Sequence, residues 1–180
     1  LTVAPPLRIL GLVSSPQGLA TLDVDNEKRR VEEALKGLQD RGLVELHWLA
    51  TPTWRAVQRE MRGGPWHVFH FVGHGGFDTG ADEGLIYLTD EEGKARPLRA
   101  SELGRLLADH PHLRLAVLNS CEGAKGGERD IFSSAASILV RRGISAVVAM
   151  QYEITDRAAV ELSRSFYEAL ADNWPVDAAV

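Results

Sequence analysis

Cysteine is almost absent. The 180 residues contain one, Cys121, so no internal disulfide can form and no cysteine-based zinc site can be built. Long apolar runs are missing too. No stretch reaches the roughly 18 apolar residues of a membrane span, and no secretory leader is visible. Positive charge is in deficit: 20 Lys and Arg face 25 Asp and Glu, for a net charge of −5. Nucleic-acid surfaces usually need a basic face, which argues against that class of partner. Metal-ligand clusters are lacking. His67 and His70 stand three apart in one strand and face opposite sides of a sheet. His110 and His112 flank Pro111 in a loop. The glycine-rich pieces "GHGG" and "KGG" lack the pattern of a phosphate-binding loop. No repeat or low-complexity stretch occurs. These absences predict a cytoplasmic protein with no cofactor, no metal, no nucleic acid and no membrane partner. The length fits one domain, residues 1–180. Because the chain opens at Leu1 rather than Met, the expectation is a fragment of a longer multidomain protein.

What is present alternates. "LRILGLV" (Leu7 to Val13) reads as a buried strand. The next stretch reads as a helix with Val31, Ala34, Leu35 and Leu38 on one face, capped by Asp25 or Asn26 and ended by Gly42. "LVELHWLA" is a second strand. "TPTWRAVQREMRGG" is a second helix, with Thr51 as cap and Trp54, Val57 and Met61 inward. "HVFHFVG" is a third strand. Leu85 to Leu98 reads as a hairpin turning at Asp90 to Gly93. "SELGRLLADH" is a short helix, and Leu113 to Asn119 a fourth strand. A polar loop, an apolar helix ending at Gly143, a fifth strand (Ser145 to Met150) and a helix with Ala159, Leu162, Phe166 and Leu170 inward complete the series. Apolar strands alternating with helices predict an α/β fold: a mostly parallel central sheet covered on both faces, with a β-hairpin between the third and fourth strands.

In such sheets ligands bind beyond the carboxyl ends of the strands. His74 follows the third strand within Gly73-His74-Gly75-Gly76, and Cys121 follows the fourth. If those strands are neighbours, both side chains emerge at one end of the sheet. A thiolate attacks a carbonyl, and a nearby imidazole lowers the thiol pKa and protonates the leaving amine. The backbone N–H groups of Gly75 and Cys121 are candidate oxyanion donors. Gly73 and Gly76 are read as leaving room for a substrate backbone. Asp78, Asp82 and Glu83 form an acidic loop nearby, read as solvated surface or as facing substrate.

The pair "HFVGHGG" and "VLNSCEGA" resembles the caspase-like clan of cysteine peptidases. Caspases carry Q-A-C-[RQG]-G with the histidine about 50 residues upstream. Here the separation is 47 residues, and the signature reads Asn119-Ser120-Cys121-Glu122-Gly123. Within that clan the chain is similar to the CHAT family, bacterial caspase-like domains often joined to tetratricopeptide repeats. The resemblance implies a three-layer αβα sandwich and a cysteine endopeptidase acting on protein or peptide substrates. It implies Cys121 as nucleophile, His74 as acid/base and a possible tetratricopeptide or other sensor domain in the same chain. In caspases, arginines near the ends of the first and fifth strands, with the signature glutamine, hold a P1 aspartate; the corresponding places here are Ser14-Ser15, Asn119 and Gln151 to Glu153, none of them arginine. The expected P1 residue is therefore not aspartate. Glu153 or Asp156 is a candidate to accept a basic one, the alternative being that Asp156 caps the last helix.

Two other readings compete. One is a non-catalytic caspase-like module that binds partners. The other is a flavodoxin-like signalling domain. That reading needs a phosphoacceptor aspartate at a strand end, where the first and third strands offer Ser14 and His74.

Overall fold

The computed structural model describes residues 3–120, 131–150, 156–172 and 174–179. Its frame is a five-stranded parallel sheet in the order β2-β1-β3-β7-β8. The strands are β1 (Leu7–Ser14), β2 (Val44–Trp48), β3 (Val68–Gly73), β7 (Leu115–Ser120) and β8 (Ala146–Met150). Helices α1 (Val24–Asp40), α2 (Trp54–Arg62), α3 (Ala100–Ala108), α4 (Ile131–Arg141) and α5 (Asp156–Ala171) cover it, with a short α6 (Val176–Ala179) after them.

The central strands read as continuous apolar runs because both of their faces are buried. Alternate residues go to opposite layers. Leu10, Leu12, Phe69, Phe71, Ala116 and Leu118 pack with Val57, Met61, Leu103, Leu107 and Leu139, from α2, α3 and α4. Ile9, Val68, Leu115 and Val117 pack with Leu35 and Leu38 of α1 and Phe166 and Leu170 of α5. The molecule is thus a caspase-like αβα sandwich.

Helix boundaries differ slightly from expectation. Asp23, not Asp25 or Asn26, caps α1 by accepting the Asn26 N–H. Thr53, not Thr51, caps α2 by accepting the Ala56 N–H. In each case a side-chain oxygen three residues before an unpaired N–H meets it. Leu162, expected inward, is 41% exposed. Its neighbours Phe166 and Leu170 carry the buried stripe of α5 instead.

The hairpin is larger than expected. β4 (Gly75–Asp78), β5 (Glu83–Thr89) and β6 (Ala95–Arg99) form a separate antiparallel sheet. Two glycines at the start of β4 hide it from a propensity reading. Ile86, Leu88 and Leu98 seal this sheet against the α2–α3–α4 layer.

One polar pair is sunk in the opposite layer. His70 of β3 and Tyr167 of α5 are both buried, with 2.6 Å between His70 Nδ1 and the Tyr167 hydroxyl. Burial pushes the His70 pKa down from 6.5 to about 4 and the Tyr167 phenol up. The imidazole is therefore neutral in the folded protein. Below pH 6.5 the unfolded chain takes up a proton that the folded chain refuses. Stability is thus expected to fall as pH drops from about 6.5 toward 4. The double variant His70→Phe/Tyr167→Phe replaces both partners by apolar groups and is expected to lose that part of the slope. Denaturant midpoints of the two proteins across this range check it; parallel curves would reject it.

Candidate active site

The parallel register runs unbroken across the middle of the sheet. Ser14 pairs with Gly73, and Gly73 pairs with Ser120. These three residues end β1, β3 and β7 in one row at the carboxyl edge. β1 and β3 also flank the point where the chain reverses its direction of winding, having placed β2 on one side of β1 and β3 on the other. This is where ligands settle in open α/β sheets.

His74 leaves the sheet at that edge. It is 3% exposed, and its Nε2 lies 2.7 Å from the Ala20 carbonyl oxygen. A carbonyl only accepts, so Nε2 carries the hydrogen and Nδ1 of the neutral ring keeps the lone pair. The His74 carbonyl accepts the Tyr87 N–H at 3.0 Å, tying the backbone to β5. The residue is thus held at its ring and at its backbone. Ala20 lies in the loop joining β1 to α1, and nothing in the sequence marked it. A backbone carbonyl is available from any residue, so only the path of the loop selects this one.

The remaining expected positions fall as follows. Gly75 opens β4, opposite Ile86. Asn119 is half-buried near the end of β7, between Val72 and Met150 in the register. Asp156 begins α5. Cys121 and Glu153 lie outside the described residues, as do Gln151 and Glu122. The structure therefore brings His74 and Asn119 to one edge of the sheet. Ser14 is fully buried there, its hydroxyl without a hydrogen-bond partner among the described residues.

Two sequence readings need correction. Gly73 and Gly76 do not leave room for a substrate backbone. A Cβ on Gly73 would stand 2.6 Å from Phe71 Cζ and 3.0 Å from the Ser14 carbonyl oxygen. One on Gly76 would stand 2.9 Å from both Leu85 and Tyr87 side-chain carbons. Both glycines answer to packing inside the protein. Two of the three loop acids are structural. Asp78 accepts from Arg99 Nε at 2.7 Å and from the Gly80 and Ala81 N–H groups. The Arg99 hydrogen bond, above all, holds its pKa below the usual carboxylate value. Glu83 is buried and accepts from the Ser101 N–H and hydroxyl, at the positive end of α3.

Among the described residues no group of three His, Cys, Asp or Glu side chains is placed to hold a metal ion. Nor is any helix there long and apolar enough to cross a membrane.

Among curated proteins none matches the chain. Among solved structures, a pilus assembly-related protein from Burkholderia pseudomallei is similar at 16% identity and a TM-score of 0.40, over 97% of each chain. The RPS4 and RRS1 TIR domain heterodimer is similar at 14% identity and a TM-score of 0.40, over 89% of this chain and 96% of the other. At that level neither bears on what this chain does. The family comparison is specific: the CHAT domain model matches residues 9–180, essentially the whole chain, and the protein belongs to the CHAT domain family.

Proposed function

We propose that this domain is a cysteine endopeptidase in which Cys121 is the nucleophile and His74 the acid/base. One observation carries the reading. Gly73 and Ser120 are register partners at the ends of adjacent parallel strands, and each is followed at once by one member of the pair. Neighbouring strands lie about 4.8 Å apart, within reach of a thiol–imidazole contact. The hydrogen bond of Nε2 to Ala20 supports it further, because it leaves Nδ1 as the basic nitrogen.

The chemistry follows from those groups. His74 Nδ1 takes the Cys121 thiol proton, and the thiolate attacks the substrate carbonyl carbon. The oxygen becomes an oxyanion, for which the Gly75 and Cys121 N–H groups are the proposed donors. The imidazolium returns its proton to the leaving amine, and an acyl thioester remains. Water, deprotonated by Nδ1, hydrolyses the thioester. Asn119, Glu153 and Asp156 are proposed to contact the substrate, with a P1 residue other than aspartate. Control by another domain of the same protein, such as a tetratricopeptide array, fits a protease that must stay silent until needed.

The test is the pH dependence of Cys121 alkylation, read by intact mass. With a single thiol, the signal has one source. An unperturbed thiol has a pKa of about 8.5, and catalytic ones fall to roughly 3.5–7.5. Fast labelling near neutral pH, lost in His74→Ala, is expected. Slow labelling in both proteins would instead favour a non-catalytic binding module.

A further inference from the structure

We propose that Gln17 is a positioning residue for His74, acting through the backbone of the β1–α1 loop; the proposal rests on His74 being the acid/base. The loop is short and tied at chosen points. Pro16 and Leu22 are buried at its two ends. The Leu22 N–H donates to Ser15 Oγ at 3.0 Å and closes the loop on itself. Between these anchors Gln17 and Ala20 are exposed, so burial does not decide where the Ala20 carbonyl points.

The tie to the hairpin does. The Gln17 N–H donates to the Gly93 carbonyl at 2.9 Å, and Gln17 bridges Lys94 as a parallel partner. Gly18 follows with φ +89°. That left-handed conformation turns the chain back toward β3, and two residues later the Ala20 carbonyl meets His74 Nε2. A residue with a Cβ adopts it only under strain.

The post that Gln17 is tied to is stiff. Asp90 Oδ1 accepts the N–H groups of Glu92 at 3.0 Å and Lys94 at 2.8 Å. The Asp90 N–H donates to the Lys94 carbonyl. At the base of the same turn, the Thr89 N–H and hydroxyl both donate to the Pro52 carbonyl. The hairpin tip is thus braced against the β2–α2 loop and holds the β1–α1 loop in its turn.

The consequence is a choice of tautomer. With the Ala20 carbonyl in place, the hydrogen sits on Nε2 and Nδ1 has the lone pair. Without it the neutral ring distributes between two forms, and the Nδ1–H form cannot accept a proton at Nδ1. Gln17 touches neither the ring nor the substrate, yet its N–H sets which nitrogen is basic.

The experiment is nitrogen NMR of the histidine-labelled full chain, alongside Cys121 alkylation, for the wild type, Gln17→Pro and Gly18→Val. The first variant removes the N–H donor, and the second forces a branched side chain into φ +89°. The wild type is expected to show His74 as a single Nε2–H tautomer. Both variants are expected to show mixed tautomers and roughly tenfold slower labelling at neutral pH, since misplacing a reacting group by about 1 Å costs up to 10²-fold. Their unfolding midpoints are expected to fall modestly, from the lost tie in one and the strained φ in the other, while the core stays intact. If one variant fails to fold, the other decides. An unchanged tautomer and labelling rate in a folded variant would overturn the proposal, as would an Nδ1–H tautomer in the wild type. Slow, His74-independent labelling of the wild type, with a tautomer that still responds to Gln17→Pro, would overturn the peptidase reading and uphold the role of Gln17.

Discussion

His74→Ala is expected to slow peptide-bond hydrolysis by about 10²–10⁴-fold, the usual contribution of a positioned acid/base. The size of the effect depends on where the ring is held. His74 is buried at the carboxyl edge of the sheet, with Nε2 engaged by Ala20. Nδ1 is the nitrogen left for proton transfer. In the proposed mechanism alanine removes both the proton acceptor and the donor for the leaving amine. His74→Gln sharpens the test, since its amide can still donate to the Ala20 carbonyl but cannot shuttle a proton. It is expected to be as inactive as the alanine variant while remaining closer to the wild type in stability. Cys121→Ala is expected to show no cleavage. A peptide library digested by each protein and read by mass spectrometry measures the effect. Wild-type rates in the two histidine variants would reject the role given to His74.

The largest expected effect on stability is at Phe71. Its ring has no solvent exposure, and in the register it sits between Leu12 of β1 and Leu118 of β7. It belongs to the larger of the two apolar layers, and its Cζ lies against the backbone of Gly73. Phe71→Ala is expected to cost about 3–5 kcal/mol, because neighbouring β-strand backbone cannot collapse into the space. Native domains have about 5–15 kcal/mol in hand, so this is a large share. Phe71→Leu keeps most of the volume and is expected to cost far less. Denaturant midpoints of the three proteins check the order. A loss below about 1 kcal/mol for alanine would show that the layer repacks around the gap.

The central sheet was legible because its signal is local and strong. Runs such as Leu7 to Val13 and Leu113 to Asn119 are apolar without interruption, which a strand buried on both faces requires. The hairpin turn at Asp90 to Gly93 was legible from turn chemistry; Asp90 accepts two backbone N–H groups there. β4 was not. Gly75 and Gly76 have low strand propensity, and β4 exists because β5 supplies a register for it. Asp78 and Glu83 misled for a related reason. A sequence shows an acidic cluster, but not that Arg99 and the start of α3 lie opposite it.

The candidate site divides the same way. Residue chemistry alone singled out His74 and Cys121, because a histidine framed by glycines after one buried strand and a lone cysteine after the next suit acyl transfer. The 47-residue separation could not by itself say that β3 and β7 are neighbours. Strand order did that, because pairing is a long-range choice made by the whole sheet. The sequence by itself determined the layered α/β class, the two apolar faces and which side chains are candidates for the chemistry, all of which follow from side-chain type and period. Only the tertiary structure decided that the Ala20 carbonyl holds the ring, that Gly73 and Gly76 serve packing, and that the hairpin tip braces the β1–α1 loop. Those are contacts of backbone groups and close approaches between distant segments, which any residue type can supply and only the folded path selects.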